Sequence, residues 1–217
     1  ARKITVERNR IYDCDRGIGI VSENDAFPTS DCIVRNNIVT DLYRTGIYLG
    51  GYLGYTSGGT RNCYVVNNTL AGNNRERGAY GEIEGELRLT EQCFDNVIRN
   101  NLVVAGPDDL FVHKYTNTGS GNMIDNNLYF SATTAGWIWN TTNGAPYTDF
   151  NAWKTASGTD ANSIVGKDPL LTENYRIPGN SPARLAGHVL PAEILGTVDF
   201  SGQPRVTDNK ISIGAHQ

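Results

Sequence analysis

Val65-Val66-Asn67-Asn68-Thr69-Leu70 places a β-branched apolar residue three positions before an asparagine and another apolar residue two positions after it. Four other segments obey the same rule: Val6 to Ile11 around Asn9, Val34 to Val39 around Asn37, Ile98 to Val103 around Asn101, and Ile124 to Tyr129 around Asn127. The five key asparagines are spaced by 28, 31, 33 and 26 residues. Two positions before each β-branched residue stand Ile4, Cys32, Cys63, Asn96 and Asn122, so alternation continues backwards, as a strand requires. A second period-two motif follows in each repeat: Gly17-Ile18-Gly19-Ile20, Gly46 to Leu49, Glu86 to Leu89, Asp109 to Val112 and, more loosely, Trp137-Ile138-Trp139. Each unit therefore holds two short strands, a turn and a loop of variable length. A unit this small cannot bury its apolar face alone, so copies must stack.

Stacking accounts for the asparagines. An amide tip carries donor and acceptor together, so equivalent Asn side chains in successive coils can hydrogen-bond along the stack and satisfy polar groups buried at the bend. Asparagine also tolerates the left-handed backbone that a tight bend needs. Composition agrees: the 217 residues include 23 Asn and 24 Gly, which suit turns and disfavour a helical bundle. With 39% hydrophobic residues and a net charge of −4, disorder is excluded and nucleic acid is a poor partner. No run of 18 apolar residues occurs, which argues against a membrane-spanning helix. Cys14, Cys32, Cys63 and Cys93 lack metal-ligand spacing and read as buried free thiols.

On these repeats, from about Lys3 to Phe130, the chain resembles the right-handed parallel β-helix proteins of the pectate lyase-like superfamily. The tail, with Asp160 to Pro169, Ser181-Pro182-Ala183, Asp199 to Arg205 and Ile213-Gly214-Ala215, is similar to the closing segment of many secreted bacterial β-helix proteins. The resemblance implies an all-β solenoid of about five to seven coils and a secreted or cell-surface location. Within the single domain, residues 1–130 are repeat coils, 131–158 an irregular last coil, and 159–217 an extended segment capping the C-terminal end. No N-terminal cap is visible, so we expect further coils upstream in the native product, or a second chain covering Lys3–Ile11 in a homo-oligomer.

Candidate chemistry lies on the second strands and the loops that follow them. Gly19, Tyr48, Arg88 and Phe111 align as one outward column, Gly17, Gly46, Glu86 and Asp109 as another, and His113 and Lys114 continue towards a loop. Glu82, Glu84, Glu86 and Arg88 alternate onto one face, with like charges about 7 Å apart that raise one another's pKa. Such carboxyls suit glycoside hydrolysis. β-Elimination on an acidic polysaccharide needs a cation, a base and an acid. Arg88 would neutralise the uronate, Lys114 or His113 would act as base and Tyr48 as acid, with Glu86 as a further acid candidate. Tyr52, Tyr55, Phe111, Trp137 and Trp139 would stack on sugars, beside Glu82 and Glu84. No cofactor is implied. Calcium-dependent members of the superfamily carry an aspartate cluster on one strand face, and none is visible here. The expected function is cleavage of an acidic polysaccharide. The alternatives are a non-catalytic carbohydrate-binding or surface-attachment β-helix, or a scaffold without activity.

Overall fold

The computed structural model describes residues 1–24, 26–52, 58–76, 78 and 83–217. The chain winds through β1 (Thr5–Glu7), β2 (Arg10–Tyr12), β3 (Ile18–Val21) and β4 (Thr29–Ser30), and then repeats the circuit. The second rung is β5 (Ile33–Arg35), β6 (Ile38–Thr40), β7 (Ile47–Gly50) and β8 (Thr60–Arg61); the third is β9 (Tyr64–Val66), β10 (Thr69–Ala71), β11 (Leu87–Leu89) and β12 (Cys93–Phe94). The fourth and fifth keep three strands each: β13 (Val97–Arg99), β14 (Leu102–Val104) and β15 (Asp109–Lys114), then β16 (Met123–Asp125), β17 (Leu128–Phe130) and β18 (Ala135–Ile138). Corresponding strands pair in parallel, so the molecule is a β-solenoid. Its five rungs enclose about four turns, fewer than the five to seven coils expected, because after residue 138 the chain returns to the stack only briefly, at residues 159–165.

The register follows the repeat. Val6, Val34, Val65, Ile98 and Ile124 stack in one column, and Ile11, Val39, Leu70, Val103 and Tyr129 in another. Between them the ladder asparagines bond rung to rung. The amides of Asn9, Asn37, Asn68 and Asn101 each donate to the Oδ1 of the next Asn, at 2.9–3.1 Å. Ser163 Oγ closes the series by accepting from the Asn127 backbone N–H. The residue before each ladder position (Arg8, Asn36, Asn67, Asn100, Asn126) has φ between 54° and 58°, the left-handed bend that turns one sheet into the next. A shorter ladder runs through Asn96 and Asn122 at the neighbouring corner, where Cys63 N–H donates to Asn96 Oδ1.

The left-handed residues point outwards, and the C-terminal segment docks on them. Asn100 Nδ2 donates to His188 O, Asn67 to Ser212 O, and Asn36 to Leu195 O and Val198 O, while Arg8 reaches Phe200 O. Residues 166–217, including α2 (Ala192–Leu195), thus brace the side of the solenoid from the fourth rung back to the first. The segment expected to cap the end divides: residues 159–165 stack on the last rung, and the rest runs along the side. The end is closed by α1 (Phe150–Ser157), whose Trp153 is fully buried and stacks on Trp137 at 5.8 Å. Asp149 caps this helix by accepting from Ala152 N–H, and Gly158 ends it at φ 67°. After the helix, β19 (Ile164–Val165) extends the second sheet beside β17. At the opposite end Ile4 is half exposed, and Val6 and Ile11 are only partly covered. Among the described residues no helix is long and apolar enough to cross a membrane.

Cys32, Cys63 and Cys93 are buried free thiols and Cys14 is an exposed one. Burial pushes Cys63 and Cys93 up to about 11. A disulfide reagent that needs thiolate should therefore label one thiol in the native protein at neutral pH and four after unfolding. Labelling of Cys63 without unfolding would contradict this packing.

Candidate functional site: an arginine–tyrosine pocket on the third sheet

The third sheet, β3-β7-β11-β15-β18, turns Gly19, Tyr48, Arg88 and His113 outwards in register. Phe111, expected beside Arg88, is displaced by a β-bulge between Leu110 and Val112. The extra residue turns Phe111 inwards against Tyr129 (5.4 Å) and Trp137 (4.8 Å). Gly19 matters for shape: a Cβ there would come within 2.5 Å of the Tyr48 ring, so its absence lets that ring lie down over the first rung.

Arg16, Tyr48, Tyr52, Arg88 and Tyr115 converge on a pocket of about 140 Å³, with Val21, Gly51 and Thr90 at its rim. The Arg88 guanidinium lies 4.3 Å from the Tyr115 ring centre, and that of Arg16 5.5 Å from Tyr48. Arg16 Nη1 also donates to Tyr52 Oη at 3.4 Å. Beneath the pocket sits Glu84, buried, whose Oε1 takes Arg16 at 2.5 Å, Arg44 at 2.6 Å and Arg88 at 2.8 Å. Its Oε2 accepts the Thr45 backbone N–H at 2.8 Å. Burial pushes the Glu84 carboxyl up, but the Arg16 hydrogen bond, the Arg88 charge and the Thr45 N–H outweigh it and hold the group at about 2. Three guanidiniums thus gather on one carboxylate, and Asp15 lies 4.0 Å from Arg44. Burial and the nearby Tyr52 push the Tyr48 phenol up, so it holds its proton at neutral pH.

The other sequence candidates fall elsewhere. His113 is fully buried, with Nδ1 2.9 Å from Ile83 O and Nε2 2.9 Å from Thr141 O; burial lowers its pKa, and neither nitrogen reaches the pocket. Lys114 pairs in register with Leu89 and is buried; its Nζ donates to Thr116 O at 2.5 Å and Thr118 O at 2.6 Å, so it is no accessible base. Glu86 is fully buried at the corner, accepting Asn73 N–H at 2.9 Å and Asn73 Nδ2 at 2.6 Å; burial and Asp109 push it well up. It extends a short polar ladder, Leu42 N–H to Asn73 to Glu86, and takes no place in the pocket. Trp137 is buried, and the half-buried Trp139 packs edge-on against Trp153 at 5.3 Å, so both belong to the end cap. Tyr55 and Glu82 lie outside the described residues. Among the described residues, no three His, Cys, Asp or Glu side chains gather as metal ligands.

Arg16, Arg44 and Tyr115 went unread in the sequence. A signal existed: Arg44 and Glu84 each stand two residues before the neighbouring positions Gly46 and Glu86, so opposite charges occupy one repeat position in adjacent rungs.

A parallel β-solenoid whose side carries an arginine- and tyrosine-lined pocket is the class that this geometry defines. No protein-family model matches the chain. It is similar to the uncharacterized protein YwoF of Bacillus subtilis (strain 168), at 29% identity over 187 residues. That alignment covers 83% of this chain and 38% of the relative, so the chain spans well under half of the relative's length.

Proposed function

We propose that the protein is a carbohydrate-binding β-helix of the pectate lyase-like kind, acting outside the cell, that takes a uronate unit of an acidic polysaccharide into the arginine–tyrosine pocket. The observation that carries this reading is the convergence of Arg16 and Arg88 with Tyr48, Tyr52 and Tyr115 on one small cavity. Guanidiniums grip a carboxylate through paired donors, and tyrosine rings offer apolar faces to sugar C–H groups while their hydroxyls meet sugar oxygens. At about 140 Å³ the pocket is smaller than the roughly 300–1,000 Å³ of drug-sized sites, which suits one sugar unit of a chain lying across the sheet.

Binding is favoured over cleavage by the placement of the proposed bases. Elimination needs a group to accept the proton beside the uronate carboxylate, and His113 and Lys114 are both buried and engaged by carbonyls. Calorimetric titration with a panel of uronate and neutral polysaccharides tests the reading. Acidic polymers should bind and neutral ones should not, and binding should weaken as salt rises. Arg88→Ala should weaken binding by on the order of tenfold or more, as loss of a charge-assisted contact does. Tyr115→Ala provides a second variant should Arg88→Ala disturb the fold. Equal binding of neutral polymers would overturn the proposal. New ultraviolet absorbance from an unsaturated product would replace binding with β-elimination.

A further inference from the structure

We propose that His113, which does not line the pocket, is the positioning residue of Arg88: its ring holds Tyr115 and the segment that carries Glu84, the two groups against which the guanidinium rests. This role rests on the glycan-binding reading above. His113 pairs in register with Arg88, one rung on, and is fully buried. A polar ring shut away from water is tolerable where its nitrogens find partners. Nδ1 lies 2.9 Å from Ile83 O and Nε2 2.9 Å from Thr141 O, so the imidazole spans two loops. Ile83 is bonded directly to Glu84, the carboxylate that takes Arg16 at 2.5 Å and Arg88 at 2.8 Å. A hydrogen bond to the Ile83 carbonyl therefore fixes the backbone from which that carboxylate reaches the arginines. The same ring packs edge-on against Tyr115, with centres 5.3 Å apart and planes at 69°. The Tyr115 ring centre in turn lies 4.3 Å from the Arg88 guanidinium.

One proton decides which loop the ring holds. Burial, with the Arg88 charge acting the same way, lowers the His113 pKa below the ordinary 6.5, so the ring is neutral at pH 7 and has a single N–H for two carbonyls. Nδ1 faces the Glu84 segment, and the Glu84 charge favours a proton on that side. Nδ1–H therefore donates to Ile83 O, and the contact to Thr141 O is the dispensable one. Arg88 is thus supported by a carboxylate and a tyrosine that one buried side chain keeps in place. Such support matters for affinity, because a binding group that can shift by about 1 Å loses much of its effect.

Two substitutions separate this role from simple packing. The amide nitrogen of asparagine can stand where Nδ1 does, and that of glutamine where Nε2 does. His113→Asn keeps a donor for Ile83 O and gives up Thr141 O, whereas His113→Gln does the reverse. Both remove the ring from Tyr115, so both should bind a uronate oligomer more weakly than the wild type, and the comparison between them isolates the Ile83 bond. Calorimetric titration below the melting transition of each should find His113→Gln on the order of tenfold weaker than His113→Asn. Nitrogen NMR of histidine-labelled wild type at pH 7 should place the His113 proton on Nδ1. That measurement needs no variant, so it decides the matter should either substitution prevent folding. Equal affinities in the two variants, the opposite ranking, or a proton on Nε2 would overturn the role of His113 and leave the pocket standing. Failure of the wild type to bind any uronate oligomer would overturn the pocket reading and this role with it.

Discussion

Glutamine at position 84 should lower the melting temperature of the protein by roughly 6–20 °C at pH 7, taking about 2–4 °C per kcal/mol for a domain of this size. Arg16, Arg44 and Arg88 all converge on the Glu84 carboxylate. Removing one partner of a buried ion pair costs roughly 3–5 kcal/mol, because the charges left behind are neither solvated nor matched. Acid should act in the same direction on the wild type. The Glu84 carboxyl is held at about 2 against an ordinary 4.5, so its stabilising contribution is complete above pH 4.5 and is lost as pH falls towards 2. That shift corresponds to about 3 kcal/mol at neutral pH. Calorimetric scans across this range should show the wild type approaching Glu84→Gln as the pH drops. Equal melting temperatures at pH 7 would mean that the three arginines do not depend on this group. Binding separates two roles for Glu84. If it only neutralised charge, Glu84→Gln would tighten uronate binding. Because it fixes two guanidiniums at the pocket, we expect weaker binding in the folded variant below its melting transition.

The periodic part of this architecture was legible because it is written in residue types that have few other uses. Asparagine at position 37, 68 or 101, flanked on both sides by β-branched or aliphatic residues, satisfies the alternation of two strands and the needs of a bend at once. Departures from periodicity were not legible. In Leu110-Phe111-Val112 every side chain is apolar, so either register offers an apolar inner face, and the bulge that turned Phe111 inwards left no mark in the pattern. Lys114 occupies an inward register position, and its charge argued for the outside. The carbonyls of Thr116 and Thr118, brought back by the following loop, accept its ammonium and make that position tolerable. The prolines of the tail suggest an extended segment, but its berth is chosen by the outward amides of Asn36, Asn67 and Asn100. Those side chains lie off the alternating pattern from which the strands were read.

Asn68→Ala should destabilise the protein by about 4 kcal/mol or more, a large fraction of the roughly 5–15 kcal/mol available to a folded domain. Asn68 Oδ1 accepts from both the backbone N–H and the amide of Asn37, at 3.0 and 2.9 Å. Its Nδ2 donates to Val34 O, Val66 O and Asn101 Oδ1, at 3.0, 3.2 and 3.0 Å. All of these groups are shut away from water, and each one left unpaired costs about 1–3 kcal/mol. Asn9 provides the internal control, since it occupies the same repeat position but is exposed on the first rung. There water can replace the lost amide, and Asn9→Ala should cost less than about 1 kcal/mol. Asn68→Asp separates hydrogen bonding from volume. The carboxylate keeps the acceptor that Asn37 needs but turns oxygen towards Val34 O, Val66 O and Asn101 Oδ1, so it should be at least as damaging as alanine despite its near-identical shape. Denaturant unfolding of the three variants decides the matter. A ranking that follows side-chain volume, with aspartate close to wild type, would remove the amide ladder from the forces that hold these rungs in register.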